Sequence, residues 1–125
     1  MLSVGIINRA IEECRLSAFR TRMGAVIFKG SRIVSSGHNS LRSSSFIFKK
    51  YKRYYNSMHA EQAALVGLDW NKLKGYSILV LKISKTKEML SMAKPCNLCM
   101  NLLSIVGIKN IYYSNSDGEI VKYIE

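Results

Sequence analysis

The chain has 125 residues, 48% of them hydrophobic, enough for one ordinary core and too few for two comfortable domains, so a single domain over 1–125 is expected. Its formal net charge is +11, from 19 Lys and Arg against 8 Asp and Glu, a balance that attracts phosphate-bearing partners. No run approaches the roughly 18 to 20 apolar residues of a membrane helix, no charged and then apolar leader opens the chain, and three cysteines do not form the even framework of a small secreted protein; no membrane partner and an intracellular, cytoplasmic protein are expected.

In chain order, Leu2, Ile6, Ile7, Ala10, Ile11 and Cys14 recur at three- and four-residue steps and predict an amphipathic helix, with Ser3 as its cap. Gly24–Phe28 and Ile33–Val34 are short apolar runs flanking a glycine-containing turn, the pattern of a hairpin. From Asn39 to Ser57 periodicity fails, and a long functional loop is expected. His59 to Leu68 returns to helix formers and weakens at Gly67. Tyr76–Leu81 is an apolar run suited to a central strand covered on both faces.

Pro95 suits a first helical turn, and Leu102, Leu103, Ile105 and Val106 continue a buried helix up to Gly107. Ile111–Tyr113 and Ile120–Ile124 flank a turn too short for a crossover helix, so the last two strands should pair antiparallel. The economical α/β architecture is one sheet with helices on both faces.

His59, Cys96 and Cys99 supply three donors that zinc takes readily, the number typical of a catalytic centre with its fourth position open. Glu61 sits two residues beyond the histidine, where a carboxylate handles protons without binding the metal. Residues two apart cannot serve one metal from a helix flank, but both reach past the helix end. Cys96 and Cys99, three apart, share one face at the start of their own helix. One metal between two helix ends satisfies both spacings.

Together, His59-Ala60-Glu61 and Pro95-Cys96-Asn97-Leu98-Cys99 form an H-x-E … P-C-x-x-C pattern that resembles the cytidine and deoxycytidylate deaminase superfamily over nearly the whole chain. The resemblance implies a three-layer α-β-α sandwich with a five-stranded mixed sheet, a Zn2+ cofactor held by His59, Cys96 and Cys99, and Glu61 as catalytic proton shuttle. It implies hydrolytic deamination of a cytosine base to uracil, with a cytosine-containing nucleoside or nucleotide, deoxycytidylate-like, as partner. It also implies a homo-oligomer, because relatives often complete their pockets across subunits.

Further residues follow from the same resemblance. Ala25, in Gly24-Ala25-Val26, matches the small-residue strand beside the base pocket, and Ala60 a backbone contact to the base. Asn39, in Gly37-His38-Asn39, matches an asparagine that contacts the sugar; the alternative is a turn residue satisfying its own loop. Lys94 stands where many relatives carry glutamate, a departure that leaves the substrate class open and places an ammonium where a phosphate could approach.

No acidic residue falls between Glu13 and Glu61. Within that stretch, Lys49, Lys50, Tyr51, Lys52, Arg53 and Tyr54 combine cations with aromatics as single-strand binders do, which favours deamination within single-stranded DNA or RNA as a second reading. The alternative for that segment is a loop with its aromatics packed down and its charges outward. Adenine in a tRNA anticodon loop is a further substrate class of related proteins. A structural zinc module with Cys14 as fourth ligand is the non-enzyme reading, and it leaves Glu61 without a purpose.

Overall fold

The computed structural model describes residues 2–18, 21–40, 59–84 and 88–124. Helix α1 (Val4–Leu16) begins at Ser3, whose hydroxyl accepts from the Ile6 amide at 3.2 Å, so the predicted cap forms. Ile6, Ala10 and Cys14 lie on one stripe and are fully buried against the sheet. Strands β1 (Thr21–Lys29) and β2 (Arg32–His38) form the antiparallel hairpin, turning at Gly30, whose φ of 60 suits a residue without a Cβ.

After the undescribed 41–58 come helix α2 (Ala60–Leu65), a 3₁₀ turn at Trp70–Lys72 and strand β3 (Ser77–Ser84). Ile78, Leu79, Val80 and Leu81 on β3 are all fully buried, alternating between the two faces, so the apolar run is a central strand as its sequence requires. Strand β4 (Leu90–Ser91), helix α3 (Asn97–Val106), β5 (Asn110–Ser114) and β6 (Ile120–Lys122) complete the order.

The strands lie in the order β2-β1-β3-β5-β6, with β4 pairing the far end of β3. Only β3 and β5 run parallel; β5 and β6 pair antiparallel as expected. Helix α1 packs with Val26, Phe28, Leu79 and Leu81 on one face, and residues of α2 and α3 pack with Ala25, Ile27, Ile78 and Val80 on the other. The three-layer sandwich therefore forms around a mixed sheet.

Five local expectations are corrected. The sheet has six strands, not five, because β3 extends past β5 and its Lys82 and Ile83 find partners in Ser91 and Leu90. Helix α2 stops at Leu65, short of Leu68, and β6 stops at Lys122, short of Ile124. Pro95 precedes the cap of α3 instead of entering its first turn. Ile105 is 65% exposed, because Cys99, Leu102, Leu103 and Val106 make the buried stripe of α3 and Ile105 falls outside it. Among the described residues, no helix is long and apolar enough to cross a membrane.

Two glycines set how closely the layers approach. A Cβ at Gly24 would stand 2.5 Å from the Ala10 carbonyl oxygen of α1, and one at Gly37 would stand 2.6 Å from the Ala64 amide nitrogen of α2. A helix backbone thus rests on the hairpin from each side.

Candidate metal centre

His59 is the N-cap of α2 and Cys96 the N-cap of α3, so two segments 37 residues apart deliver their ligands from helix ends. The His59 backbone is held at both poles. Its amide donates to Gln62 Oε1 at 2.9 Å, and its carbonyl accepts from the Ala63 amide at 2.9 Å. On the other segment the Cys96 carbonyl accepts from the Met100 amide at 2.8 Å, which starts α3 and carries Cys99 round to the same side.

Ser114 ties the approach to that segment. Its hydroxyl donates to the Ser91 carbonyl at 2.6 Å, and its carbonyl accepts from the Ala93 amide at 2.8 Å. Fully buried at the end of β5, Ser114 anchors the chain just before Pro95 and Cys96.

The resulting cluster is tight. His59 Nδ1 lies 3.4 Å from Cys99 Sγ and 3.8 Å from Cys96 Sγ, and the three donor atoms all fall within 4.8 Å of one another. Cys96 is exposed, His59 half-buried and Cys99 buried, so one side of the cluster is open. Glu61 is 2% exposed, and its Oε1 has no hydrogen-bond partner among the described residues.

Electrostatics make this an uncomfortable group as it stands. Burial, then the neighbouring charges of Glu61 and Cys96, push the Cys99 thiol up. Burial likewise pushes the Glu61 carboxyl up, against the opposing pull of its own backbone amide and the His59 charge. Two sulfurs and a carboxyl crowd one imidazole, and a divalent cation among the donors supplies further positive charge that favours their anionic forms.

The donor set fits zinc. Bonds of about 2.3 Å to sulfur and about 2.0 Å to nitrogen in a tetrahedral centre set sulfur and nitrogen roughly 3.5 Å apart, which the two observed separations bracket. The buried, unpartnered Glu61 oxygen beside three such donors is what a proton-handling carboxylate at a metal centre requires.

The other sequence-predicted residues are placed as follows. Ala25 on β1 and Ala60 at the start of α2 are both fully buried members of one core cluster, small residues on the α2 and α3 side of the sheet. Asn39 is 7% exposed; its Oδ1 accepts from the Met23 amide at 3.0 Å and its Nδ2 donates to the Thr21 carbonyl at 2.8 Å, so its amide ties the end of β2 to the start of β1. Lys94 is exposed, with its Nζ 5.2 Å from the centre of the Tyr123 ring. Lys49, Lys50, Tyr51, Lys52, Arg53 and Tyr54 lie outside the described residues.

Cys14 cannot be a fourth ligand. It lies among the residues packed on the α1 face of the sheet, its Sγ donates to the Leu81 carbonyl at 3.3 Å, and burial pushes its thiol up to about 12. The closed structural centre of the non-enzyme alternative is therefore ruled out, because the sheet separates that cysteine from the other three donors.

Gln62 and Ser114 went unread in the sequence. Gln62 stands three residues after the cap, the spacing of a capping box, but a histidine cap hides the usual Ser/Thr signal. Ser114 acts through tertiary contacts alone and leaves no local trace.

A model of the family described as the cytidine and deoxycytidylate deaminase zinc-binding region matches residues 5–115. Among solved structures, the dCMP deaminase of cyanophage S-TIM5 in its apo form is similar at 20% identity over 92% of this chain and 86% of that one, with a TM-score of 0.57. The same enzyme in complex with dCMP and dUMP is similar at 19% identity over 93% and 85%, also at 0.57. A Thermotoga maritima diaminohydroxyphosphoribosylaminopyrimidine deaminase/5-amino-6-(5-phosphoribosylamino)uracil reductase is similar at 20% identity over 90% of this chain and 29% of that one, at 0.54. At these identities the likeness is one of fold. No curated protein matches the sequence.

Proposed function

Because the chain belongs to the cytidine and deoxycytidylate deaminase family, we propose that it is a zinc-dependent enzyme of one domain, 1–125, that hydrolyses the exocyclic amine of cytosine carried on a nucleotide. A deoxycytidylate-like monophosphate is the minimal substrate. The observation that carries this reading is the convergence of His59 Nδ1 with the Cys96 and Cys99 sulfurs next to a buried carboxyl whose Oε1 has no partner. Further support comes from the net charge of +11 and from the cyanophage relative, whose structure holds dCMP and dUMP.

Bound at the three donors, zinc supplies a Lewis acid that makes water nucleophilic near neutral pH. Glu61 takes the proton released by that water. It delivers that proton to ring N3 as the water oxygen attacks C4, then moves the proton of the new C4 hydroxyl to the departing amine. The C4–N bond breaks, a C4 carbonyl remains, and cytosine plus water becomes uracil plus ammonia. Burial pushes the Glu61 carboxyl up, which strengthens it as a proton acceptor. The Ala60 backbone and Ala25 border the base, Asn39 the sugar and Lys94 a phosphate in this reading.

The test is ammonia release by zinc-loaded protein given cytidine, deoxycytidine, their monophosphates and cytosine-containing oligonucleotides. Glu61→Ala should retain about one zinc per chain and lose at least roughly a hundredfold in turnover. Full turnover by Glu61→Ala, or no ammonia from any cytosine substrate with the wild type, refutes the reading.

A further inference from the structure

A groove of about 740 Å³ opens beside the metal centre and runs along the outer flank of α3 to the C-terminal strand. It begins at Lys94 and Asn97, on either side of the ligand Cys96, and ends at Lys109, beyond the exit of α3. Asn97, Asn101 and Ser104 line it at helical spacing, a polar stripe on the side of α3 away from the buried Cys99, Leu102, Leu103 and Val106. Tyr123 forms part of the opposite wall; its amide donates to the Ile111 carbonyl at 2.7 Å, which fixes the ring's root beside β5.

The lining has a definite chemistry: two ammoniums, two amides, a hydroxyl, an aromatic ring and three apolar side chains, with no carboxylate among the described residues. Between Asp69 and Asp117 the only acidic residue is Glu88, which is paired with Arg22 at 2.9 Å. Cations for phosphates, amides for sugar and base edges, and a ring for stacking are the components of a surface for single-stranded nucleic acid.

Length separates a strand from a free nucleotide. Asn97 to Ser104 spans seven residues, roughly 10 Å at the helical rise, and the two lysines lie beyond the ends of that stripe. Ammoniums at the two ends of such a stripe suit successive phosphates of a strand.

We propose that this groove binds a single-stranded polynucleotide, so that the nucleotide entering the metal centre is one link of a strand whose neighbours lie along α3. The proposal rests on the deaminase reading for what happens to the base, but strand binding is measurable without it. Lys109 holds a phosphate at the distal end and Lys94 one at the end near the metal, where its ammonium also lies 5.2 Å from the centre of the Tyr123 ring.

The experiment measures fluorescence anisotropy of labelled oligothymidylate and oligouridylate, each about twelve nucleotides long, with zinc-loaded protein across a salt series. Neither probe contains cytosine, so failure of the deaminase reading and failure of this one are distinguishable; the two probes separate DNA from RNA. Lys109→Glu should weaken binding about tenfold and flatten the slope of log affinity against log salt by about 0.7.

Lys122→Glu makes the same charge change on the opposite sheet face, since Lys122 pairs with Tyr112, which packs on the α1 side; it should change affinity less than twofold. Asn101→Lys adds a cation to the exposed stripe and should tighten binding severalfold, a gain that misfolding cannot imitate. Equal losses from Lys109→Glu and Lys122→Glu, no gain from Asn101→Lys, or displacement of the probe by equimolar thymidine monophosphate overturns the proposal.

Discussion

Replacing Gly37 by alanine tests how α2 holds half of the metal centre. The new Cβ would meet the Ala64 amide nitrogen at 2.6 Å and the Ala63 carbonyl carbon and Cβ at 2.7 Å each. Two of these are helix backbone, so the strain is relieved only by moving α2, which carries His59 at its cap and Glu61 in its first turn. A hydroxyl bond from Ser35 to the Ala64 carbonyl at 2.6 Å resists that movement. Overpacking of this kind costs about 3 kcal/mol. With roughly 2.1 cal/mol/K of unfolding entropy for each of 125 residues, that cost lowers Tm by about 11 °C.

Gly24→Ala is the matched control. Its Cβ meets the Ala10 carbonyl at 2.5 Å and the Cys14 amide at 2.8 Å, a similar collision against α1 on the face that carries no metal donor. Both variants should therefore lose similar Tm. Only Gly37→Ala should also lose zinc affinity, by at least about tenfold, and turnover by about a hundredfold at a temperature where both are folded. Calorimetry with zinc titration against a chromophoric chelator measures all of this. Equal loss of zinc affinity in the two variants, or an unchanged Tm for Gly37→Ala, refutes the packing argument.

Gln62→Ala removes the oxygen that holds the His59 amide and should weaken zinc binding by roughly tenfold while Glu61 stays in place, read by the same chelator competition. Glu13 supplies a pH prediction. Burial alone would raise its carboxyl, but hydrogen bonds from Ser36 at 2.6 Å and His38 at 2.8 Å, with the charges of His38 and Arg9, outweigh burial and hold it below its ordinary value. A lowered folded-state pKa stabilises the fold above the unfolded carboxylate's pKa, and the contribution fades as pH falls through the folded one. Urea midpoints of wild type and Glu13→Gln should therefore differ most at neutral pH and converge in acid; a gap that widens in acid contradicts the assignment.

What the sequence disclosed tracks how local each determinant is. His59 with Glu61, and Cys96 with Cys99, are short-range patterns whose chemistry is set by residue type, and the fold brings the three donors within 4.8 Å of one another. The apolar run at 78–81 likewise states its own burial. Glu13 does not. On α1 it reads as part of a solvated face, yet its side chain is 7% exposed, because Ser36 and His38 reach it from a strand more than twenty residues away. Strand β4 is invisible for the same kind of reason: two residues carry no pattern, and they pair only because β3 outruns β5. Ile105 misleads in the opposite sense, an apolar residue whose place is decided by the phase of the stripe around it.

The meeting of the two ligand segments follows from a single topological fact. Strands β3 and β5 are the parallel pair of the sheet, and each is entered from a helix lying on the same face. A helix that leads back into a strand runs against it, so α2 and α3 share a direction once their strands do. Their exits are pinned together: the Gly75 amide donates to the Gly107 carbonyl at 2.9 Å and the Lys109 amide to the Tyr76 carbonyl at 2.7 Å. With exits joined at one edge of the sheet, both N-caps are delivered to the other, and those caps are His59 and Cys96. An antiparallel β3–β5 pair would send the two helices opposite ways and place the imidazole and the thiols at opposite ends of the sheet. Identical ligand residues in identical order would then hold no metal.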